Sequence, residues 1–181
     1  NLRTDIEGMG KVISMLDFYS SLSYLAKECN WVKPVMVENG EVDIKDGRHP
    51  VVESNTERYV PNSFSTNKSR FSLITGPNMA GKSTYLREIA LIVLLSHIGS
   101  FVPATNATIP ITDKIFCRVG ASDNLSKGES TFLIEMSESA QILRSITDKS
   151  LVIMDEIGRG TSTQDGMSIA YAIMEYLKKS G

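Results

Sequence analysis

The sequence has no long apolar run and no excess of charge of one sign. Its longest apolar candidate for a membrane segment, Ile89 to Leu95, is far shorter than the roughly 20 residues that a helix needs to cross a bilayer. We therefore predict no membrane partner. The formal net charge is only −2 at pH 7. Overall charge thus gives no reason to expect nucleic-acid binding, and any role on DNA needs another argument.

Cysteine and histidine are scarce. Cys29 and Cys117 lie far apart in the sequence, and the two histidines, His49 and His97, form no ligand cluster with them. This pattern favours two thiols in a reducing cytosol over a disulfide or a zinc site. Because His49 has no partner cluster, we predict a structural or hydrogen-bonding histidine there rather than a catalytic base or a metal ligand.

The sequence also lacks a signal peptide and a starting methionine. It opens with Asn1, Leu2 and Arg3, without the charged, apolar and small-residue regions of a secretory leader. We therefore expect a piece of a longer chain. Its 181 residues are enough for one domain with a core, and 41% hydrophobic and 22% charged residues are typical of a soluble globular protein.

Residues 76–84, which read GPNMAGKST, are the most informative stretch of the chain. They match the phosphate-binding loop pattern, in which a glycine, four free positions, a second glycine, a lysine and a hydroxyl residue join a strand to a helix. The apolar residues 70–75 before them predict a buried strand, and helical spacing of apolar residues after them predicts a helix that begins at Lys82. An ordinary glycine-containing turn with a solvated lysine is the alternative interpretation.

In this context the loop predicts a site for a triphosphate. Glycines allow the backbone to curl with its N–H groups pointing inward, and the start of a helix adds unpaired donors and partial positive charge. We expect Lys82 to reach the β and γ phosphate oxygens and the Ser83 hydroxyl to bind Mg²⁺.

A second informative stretch is the apolar run 150–154, which ends on Asp155 and Glu156. Alone, such a run is more often simply the end of a strand. Following a phosphate loop by about 70 residues, it predicts a buried strand that carries Asp155 to Mg²⁺ and leaves Glu156 facing a water that attacks the γ-phosphate.

The rest of the chain predicts alternating helices and strands. The predicted elements are a helix over 5–28, a tight hairpin at Asn39-Gly40 between strands 35–37 and 42–44, a turn and short strand over 46–52, one or two strands over 109–111 and 114–119, a helix from Phe132, and a last helix after a capping box of Ser162 and Asp165. Tyr59 and the polar segment 120–131 can each be interpreted in two ways. Tyr59 is either a core aromatic or a platform for a base, and the polar segment 120–131 is either an anion site at a helix start or an ordinary surface loop.

Four motifs in this order resemble the ATPase domain of the MutS mismatch-recognition family. They are residues 46–53 (DGRHPVVE), 76–84 (GPNMAGKST), 130–136 (STF with Glu135-Met136) and 155–163 (DEIGRGTST). The resemblance covers essentially the whole chain. It implies that residues 1–30 are the end of a lever helix and that residues 31–181 are an ABC-type P-loop ATPase domain, truncated at its C-terminal end. The fold implied is α/β, a mostly parallel sheet flanked by helices.

The resemblance also implies the ligands and their sites. ATP and Mg²⁺ are the expected cofactors, with Glu156 and Lys82 catalytic and with Ser83 and Asp155 on the metal. Tyr59 is expected to stack under the adenine, and Ser130 is expected to reach the nucleotide of a partner subunit. The expected nucleotide-binding loop consists of Gly76, Pro77, Asn78, Met79, Ala80, Gly81, Lys82, Ser83 and Thr84.

The partners implied are a second MutS-type subunit, mismatched double-stranded DNA bound by domains absent from this chain, and a downstream repair protein. A bacterial, cytoplasmic and nucleoid-associated protein is expected, or a nuclear one if the source is eukaryotic. Because the family has a further strand beyond Gly181, we expect this piece alone to bind nucleotide weakly and hydrolyse it poorly. Two alternatives stay open: an ABC-type motor of a transporter or chromosome-organising complex, whose signature loop residues 125–130 match only in part, and a pure nucleotide-binding module.

Overall fold

A computed structural model describes residues 2–67, 69–77, 79–119, 131–158 and 160–180. Helices and strands alternate along most of this chain. In order they are α1 (Leu2–Glu28), β1 (Val35–Val37), β2 (Asp43–Gly47), α2 (Pro50–Glu53), β3 (Asn62–Ser65), α3 (Lys82–His97), β4 (Asn106–Pro110), β5 (Ile115–Arg118), α4 (Thr131–Ser145), β6 (Leu151–Met154) and α5 (Thr163–Ser180).

The strands of the described residues form two separate sheets. The larger has the order β1-β4-β2-β3, in which β1 runs parallel to β4 while β2 runs antiparallel to both β4 and β3. The smaller consists of β5 and β6, which pair in parallel from Ile115 opposite Leu151 to Arg118 opposite Met154. The α/β class is as predicted, but the larger sheet is mixed rather than mostly parallel.

One apolar cluster joins α3 to the larger sheet. α3 buries side chains at steps of three and four residues, which places them on one face of the helix. Two partly buried residues of the smaller sheet, Ile115 and Leu151, pack against the same cluster. α3 therefore contacts both sheets, and these contacts fix the position of its first turn. The buried members are Val42, Ile44, Ile89, Ile92, Val93, Val102, Ala104, Ala107 and Ile109.

The helices are close to their predicted positions. α1 covers the predicted 5–28 and starts at Leu2, α3 begins at Lys82 as predicted, and the Ser162 hydroxyl at the start of α5 bonds the Asp165 carboxylate at 2.8 Å. α1 buries only Ala26 against the described residues. No helix in the described part is both long and apolar enough to cross a bilayer.

The strand predicted over residues 70–75 is wrong for the described chain, which has no strand between β3 and α3. Leu73 is 68% exposed, although its apolar character suggested a buried strand. A β-prone run becomes a strand only when a neighbouring strand supplies its hydrogen bonds. Within the described residues β6 has β5 as its one partner, so it supplies no hydrogen bonds to residues 70–75.

The hairpin predicted at Asn39-Gly40 is also wrong. β1 pairs with β4, as Val35 opposite Thr108, and β4 lies between β1 and β2 in the sheet. The turn signal is local, whereas the observed pairing places β4, with its buried Ile109, between the two strands of the predicted hairpin.

The short strand predicted over 46–52 is instead the end of β2 followed by the helix α2. Pro50 occupies the start of α2, where its missing N–H is not needed, and His49 caps the helix by accepting a hydrogen bond from the Val52 N–H at 3.3 Å. The predicted structural role of His49 is confirmed. Burial lowers its pKa, which favours the neutral imidazole that can accept this bond.

Candidate functional site

The loop before α3 and the first turn of that helix form the first part of the candidate site. Gly81 precedes the helix with a φ of 87°, a left-handed conformation that side chains disfavour. The Tyr85 N–H donates to the Gly81 carbonyl at 2.9 Å, which closes the first helical turn. Amides at the start of a helix have no acceptor within it, so they are available to an anion.

The Lys82 side chain lies across this loop. Its ammonium group donates to the carbonyl oxygens of Gly76 at 2.8 Å and Pro77 at 2.7 Å. The positive charge is therefore held against the backbone that was predicted to surround a triphosphate. Phosphate oxygens bound there would replace neutral carbonyl acceptors by charged ones, which make stronger hydrogen bonds with an ammonium group.

The two predicted metal ligands lie side by side. The Ser83 hydroxyl donates a hydrogen bond to the Asp155 carboxylate, although the two residues are 72 positions apart. β6 delivers Asp155 to this point, where the residue is 7% exposed and its N–H donates to the Arg118 carbonyl at 2.9 Å. Contact between α3 and both sheets is what brings the serine and the aspartate together.

This pair fits a magnesium ion by its donor chemistry. A hydroxyl and a carboxylate are hard oxygen ligands, and Mg²⁺ in proteins is often bound by one or two protein groups together with phosphate and water. Within the described residues no cluster of three His, Cys, Asp or Glu side chains is placed to hold a metal by itself. A magnesium ion held by this pair would need further oxygen ligands to complete its six-coordinate shell.

Backbone strain is concentrated at the same place. Four non-glycine residues of the described chain have positive φ, and two of them are Asn30 and Asp46, types that tolerate this conformation. The other two are Met79 in the loop, at 64°, and Glu156 after β6, at 52°. Each such residue costs about 1–3 kcal/mol, so the surrounding structure must hold it there, as is common at functional sites.

The turn that carries Glu156 is held from α4, a connection that the sequence did not reveal. The Gly158 N–H donates to the carboxylate of Glu135, which is 3% exposed. On α4 the apolar Phe132, Met136, Ala140 and Leu143 are only partly buried, whereas Glu135, Ser139 and Ile142 are buried. The motif STF with Glu135-Met136 was the only signal of this role.

Tyr59 lies beside α3. Its hydroxyl donates to the carboxylate of Glu88. Glu88 follows Lys82 by six residues, so it lies about 9 Å from Lys82 along the helix axis. Glu88 is only 1% exposed. Burial raises the pKa of Glu88, and burial together with Glu88 raises the pKa of Tyr59 to about 12, so Tyr59 stays a neutral donor near pH 7. The ring of Tyr59 is half-buried, which fits neither a core aromatic nor a fully open platform for a base. Its stacking with adenine stays a prediction.

The described residues thus bring together Gly76, Lys82, Ser83 and Asp155. Pro77 and Ala80 lie in the same loop, where the Ala80 N–H donates to the Pro77 carbonyl at 3.4 Å, and Thr84 lies in the first turn of α3. Asn78 and Ser130, both predicted to contact nucleotide, lie outside the described residues, as does the predicted signature loop.

The fold and the site together define a mixed α/β domain in which a helix starts at a lysine and a Ser-Asp pair lies beside that start. The profile of MutS domain V matches residues 72–181, which is more than half of the chain. The chain therefore belongs to the MutS family, and the resemblance stated from its motifs is confirmed.

Individual relatives agree with this assignment. The DNA mismatch repair protein MutS of Borreliella afzelii (strain PKo) is 56% identical over 176 residues, which cover 95% of this chain and 20% of that protein. The protein of the same name from Clostridioides difficile (strain 630) is 54% identical over 179 residues, which cover 97% of this chain and 19% of that protein. The chain thus spans about a fifth of the length of these bacterial relatives.

Proposed function

We propose that this chain binds and hydrolyses ATP in a bacterial DNA mismatch repair protein. In this proposal the nucleotide state switches the whole protein between searching for mismatches and signalling repair. Membership of the MutS family and its DNA mismatch repair relatives support the repair role. The contact between Ser83 and Asp155 is the observation that carries the ATPase proposal, because it joins the phosphate loop to the acidic pair.

Ser83 and Asp155 hold the metal in this proposal. Mg²⁺ supplies positive charge that neutralises the phosphate oxygens. The chain contributes the position of that charge, since Asp155 is fixed at the end of β6 by its N–H bond to Arg118 and Ser83 is fixed in the first turn of α3. Their present hydrogen bond is the contact that a metal would replace.

Lys82 binds the β and γ phosphate oxygens. Its ammonium group exchanges its hydrogen bonds to the carbonyls of Gly76 and Pro77 for hydrogen bonds to phosphate oxygens. There it stabilises the negative charge that develops on the γ-phosphoryl group. The N–H groups at the start of α3 add fixed positive ends of dipoles in the same direction. ATP is already negatively charged in the ground state, so these groups increase the rate only as far as they interact more strongly with the charge that develops on the phosphate oxygens in the transition state.

Glu156 orients the attacking water and accepts its proton. It directly follows Asp155 and is exposed at the end of β6, the side on which the metal pair lies. Its backbone has a positive φ of 52°, which changes the direction of the chain after β6. A carboxylate placed in this way increases rates by about 10²–10⁴ as a general base.

The composite site is the last part of the proposal. Tyr59 stacks on the adenine, and Ser130 reaches the γ-phosphate bound by a second MutS-type subunit, so that ATP favours pairing of the two. Mismatched DNA and a downstream repair protein are bound by other parts of the full-length protein. We place this protein in the cytoplasm, at the nucleoid.

Two substitutions in the full-length protein test the ATPase proposal. Lys82→Ala should weaken binding of a fluorescent ATP analogue by about 10–100-fold, the value of a charge-assisted hydrogen bond. Glu156→Gln should keep that affinity within about threefold and lower phosphate release by about 10²–10⁴-fold. Lys149→Ala and Glu57→Gln, at exposed positions outside the site, are matched controls and should behave as the parent protein.

Unchanged ATP affinity in Lys82→Ala would show that the loop does not bind the nucleotide. An unchanged rate in Glu156→Gln would remove the role given to that carboxylate.

A further inference from the structure

Glu135 is a buried carboxylate that the proposed reaction does not use. It lies on α4, is 3% exposed, accepts the Gly158 N–H and is 3.7 Å from the Arg118 guanidinium. A buried carboxylate is costly unless it is paired and hydrogen-bonded. Glu135 has both kinds of partner, and each belongs to an element that borders the acidic pair.

Arg118 is the second member of this buried group. It ends β5, is 7% exposed, and its Nη1 donates to the Asp155 carbonyl oxygen at 3.4 Å. Its Nε lies 3.5 Å from a carboxylate oxygen of Glu138, which is exposed on the next turn of α4. Arg118 therefore connects α4 to the backbone at the end of β6.

Glu156 lies between the two anchored positions. The residue before it, Asp155, is held through its carbonyl by Arg118, and Gly158 is held through its N–H by Glu135. Glu156 itself has a φ of 52°. A side chain at a strained residue keeps its direction only if the neighbouring backbone is held on both sides.

We propose that Glu135, paired with Arg118, is a positioning residue for Glu156. It holds the turn of residues 156–158 from α4 and so sets the direction of the Glu156 carboxylate. This inference rests on the proposed ATPase function. It predicts that changes at Glu135 act on turnover through Glu156 rather than on nucleotide affinity.

The test compares substitutions in the full-length protein. Glu135→Ala removes the acceptor of the Gly158 N–H and should lower kcat about 10–100-fold, since misplacing a catalytic group by about 1 Å has effects of this size. KM and the affinity for a fluorescent ATP analogue should change less than about threefold. Glu135→Gln keeps an acceptor oxygen at the same distance and should restore most of the rate. Ser137→Ala, on the exposed side of α4, is the control and should match the parent.

A double substitution separates positioning from a general structural role. If Glu135 acts through Glu156, Glu135→Ala should lower the rate much less in a Glu156→Gln background than in the parent. Single-turnover hydrolysis of radiolabelled ATP measures such slow rates. Equal fold losses in the two backgrounds would overturn the inference, as would a Glu135→Ala variant with parental kcat.

Folding can fail in Glu135→Ala because Arg118 then lacks a buried partner. In that case Glu135→Asp takes the place of Glu135→Ala in every comparison. The aspartate keeps the negative charge, but its side chain is one methylene shorter, so its carboxylate lies further from the Gly158 N–H. A parental kcat in Glu135→Asp overturns the inference equally. If Glu156→Gln alone keeps the parental rate, the catalytic role proposed for Glu156 fails, and this outcome is distinct from a failure at Glu135.

Discussion

The turn after Glu156 rests directly on α5, and Gly166→Ala tests this contact. A Cβ added at Gly166 would overlap the carbonyl oxygen of Gly158 and lie 3.2 Å from its carbonyl carbon. Both are backbone atoms that cannot rotate away. Overpacking of this kind costs about 1–3 kcal/mol. Replacing glycine by alanine in a helix returns up to about 1 kcal/mol. We therefore expect a net loss of up to about 2 kcal/mol in the free energy of unfolding, instead of the gain that alanine gives in an unobstructed helix.

Gly10→Ala is the matched control. Gly10 lies inside α1, and apart from the backbone of its own helix no atom of the described residues lies within 4 Å of the Cβ that would be added there. Only helix propensity changes, so this variant should gain about 0.5–1 kcal/mol. Urea unfolding followed by circular dichroism and by the single tryptophan, Trp31, measures both. Stabilisation of Gly166→Ala to the same extent as Gly10→Ala would show that Gly158 and Gly166 are not in contact.

Two further substitutions test the core and the buried carboxylate of α3. Glu88→Gln should stabilise the protein relative to the parent increasingly as pH rises above 4.5, the ordinary pKa of this carboxyl, because burial raises its pKa and the charged form is penalised in the fold. Urea unfolding between pH 4 and 8 measures this difference, and Gln still accepts the Tyr59 hydrogen bond. Ile92→Ala, at a position with no exposed surface, should cost about 2–5 kcal/mol in the same assay. Its control Val51→Ala, 61% exposed, should cost less than about 0.5 kcal/mol.

Each of these two expectations has an outcome that would contradict it. A constant difference between Glu88→Gln and the parent across this pH range would mean that the carboxyl is not desolvated. An Ile92→Ala variant as stable as Val51→Ala would place Ile92 outside the core.

Local signals predicted most of the helices correctly. The start of α3 at Lys82 followed from the loop pattern and the apolar spacing, and the cap of α5 followed from Ser162 and Asp165, because both depend on residues within one or two turns. β6 was predicted from a short apolar run that ends on two carboxylates, and the structure confirms it as a strand paired with β5.

Strand pairing was where local signals failed. Residues 70–75 and the segments around Asn39-Gly40 have the composition of strands or a hairpin, but a strand depends on a partner that can be far away in the sequence. β4, about 60 residues further on, takes the position next to β2 that the hairpin would have given to β1. No local pattern contains this information.

Residue types and short spacings, which a chain carries before it folds, were enough to predict the candidate site: a lysine and a serine at a helix start, an Asp-Glu pair after an apolar strand, and four ordered motifs that resemble the MutS family. The contact of Ser83 with Asp155, and the burial of Glu135 and Arg118 around the turn of Glu156, could be known only from the packed fold. Such contacts join α3, α4 and both strands of the smaller sheet, and they exist only once these elements pack together.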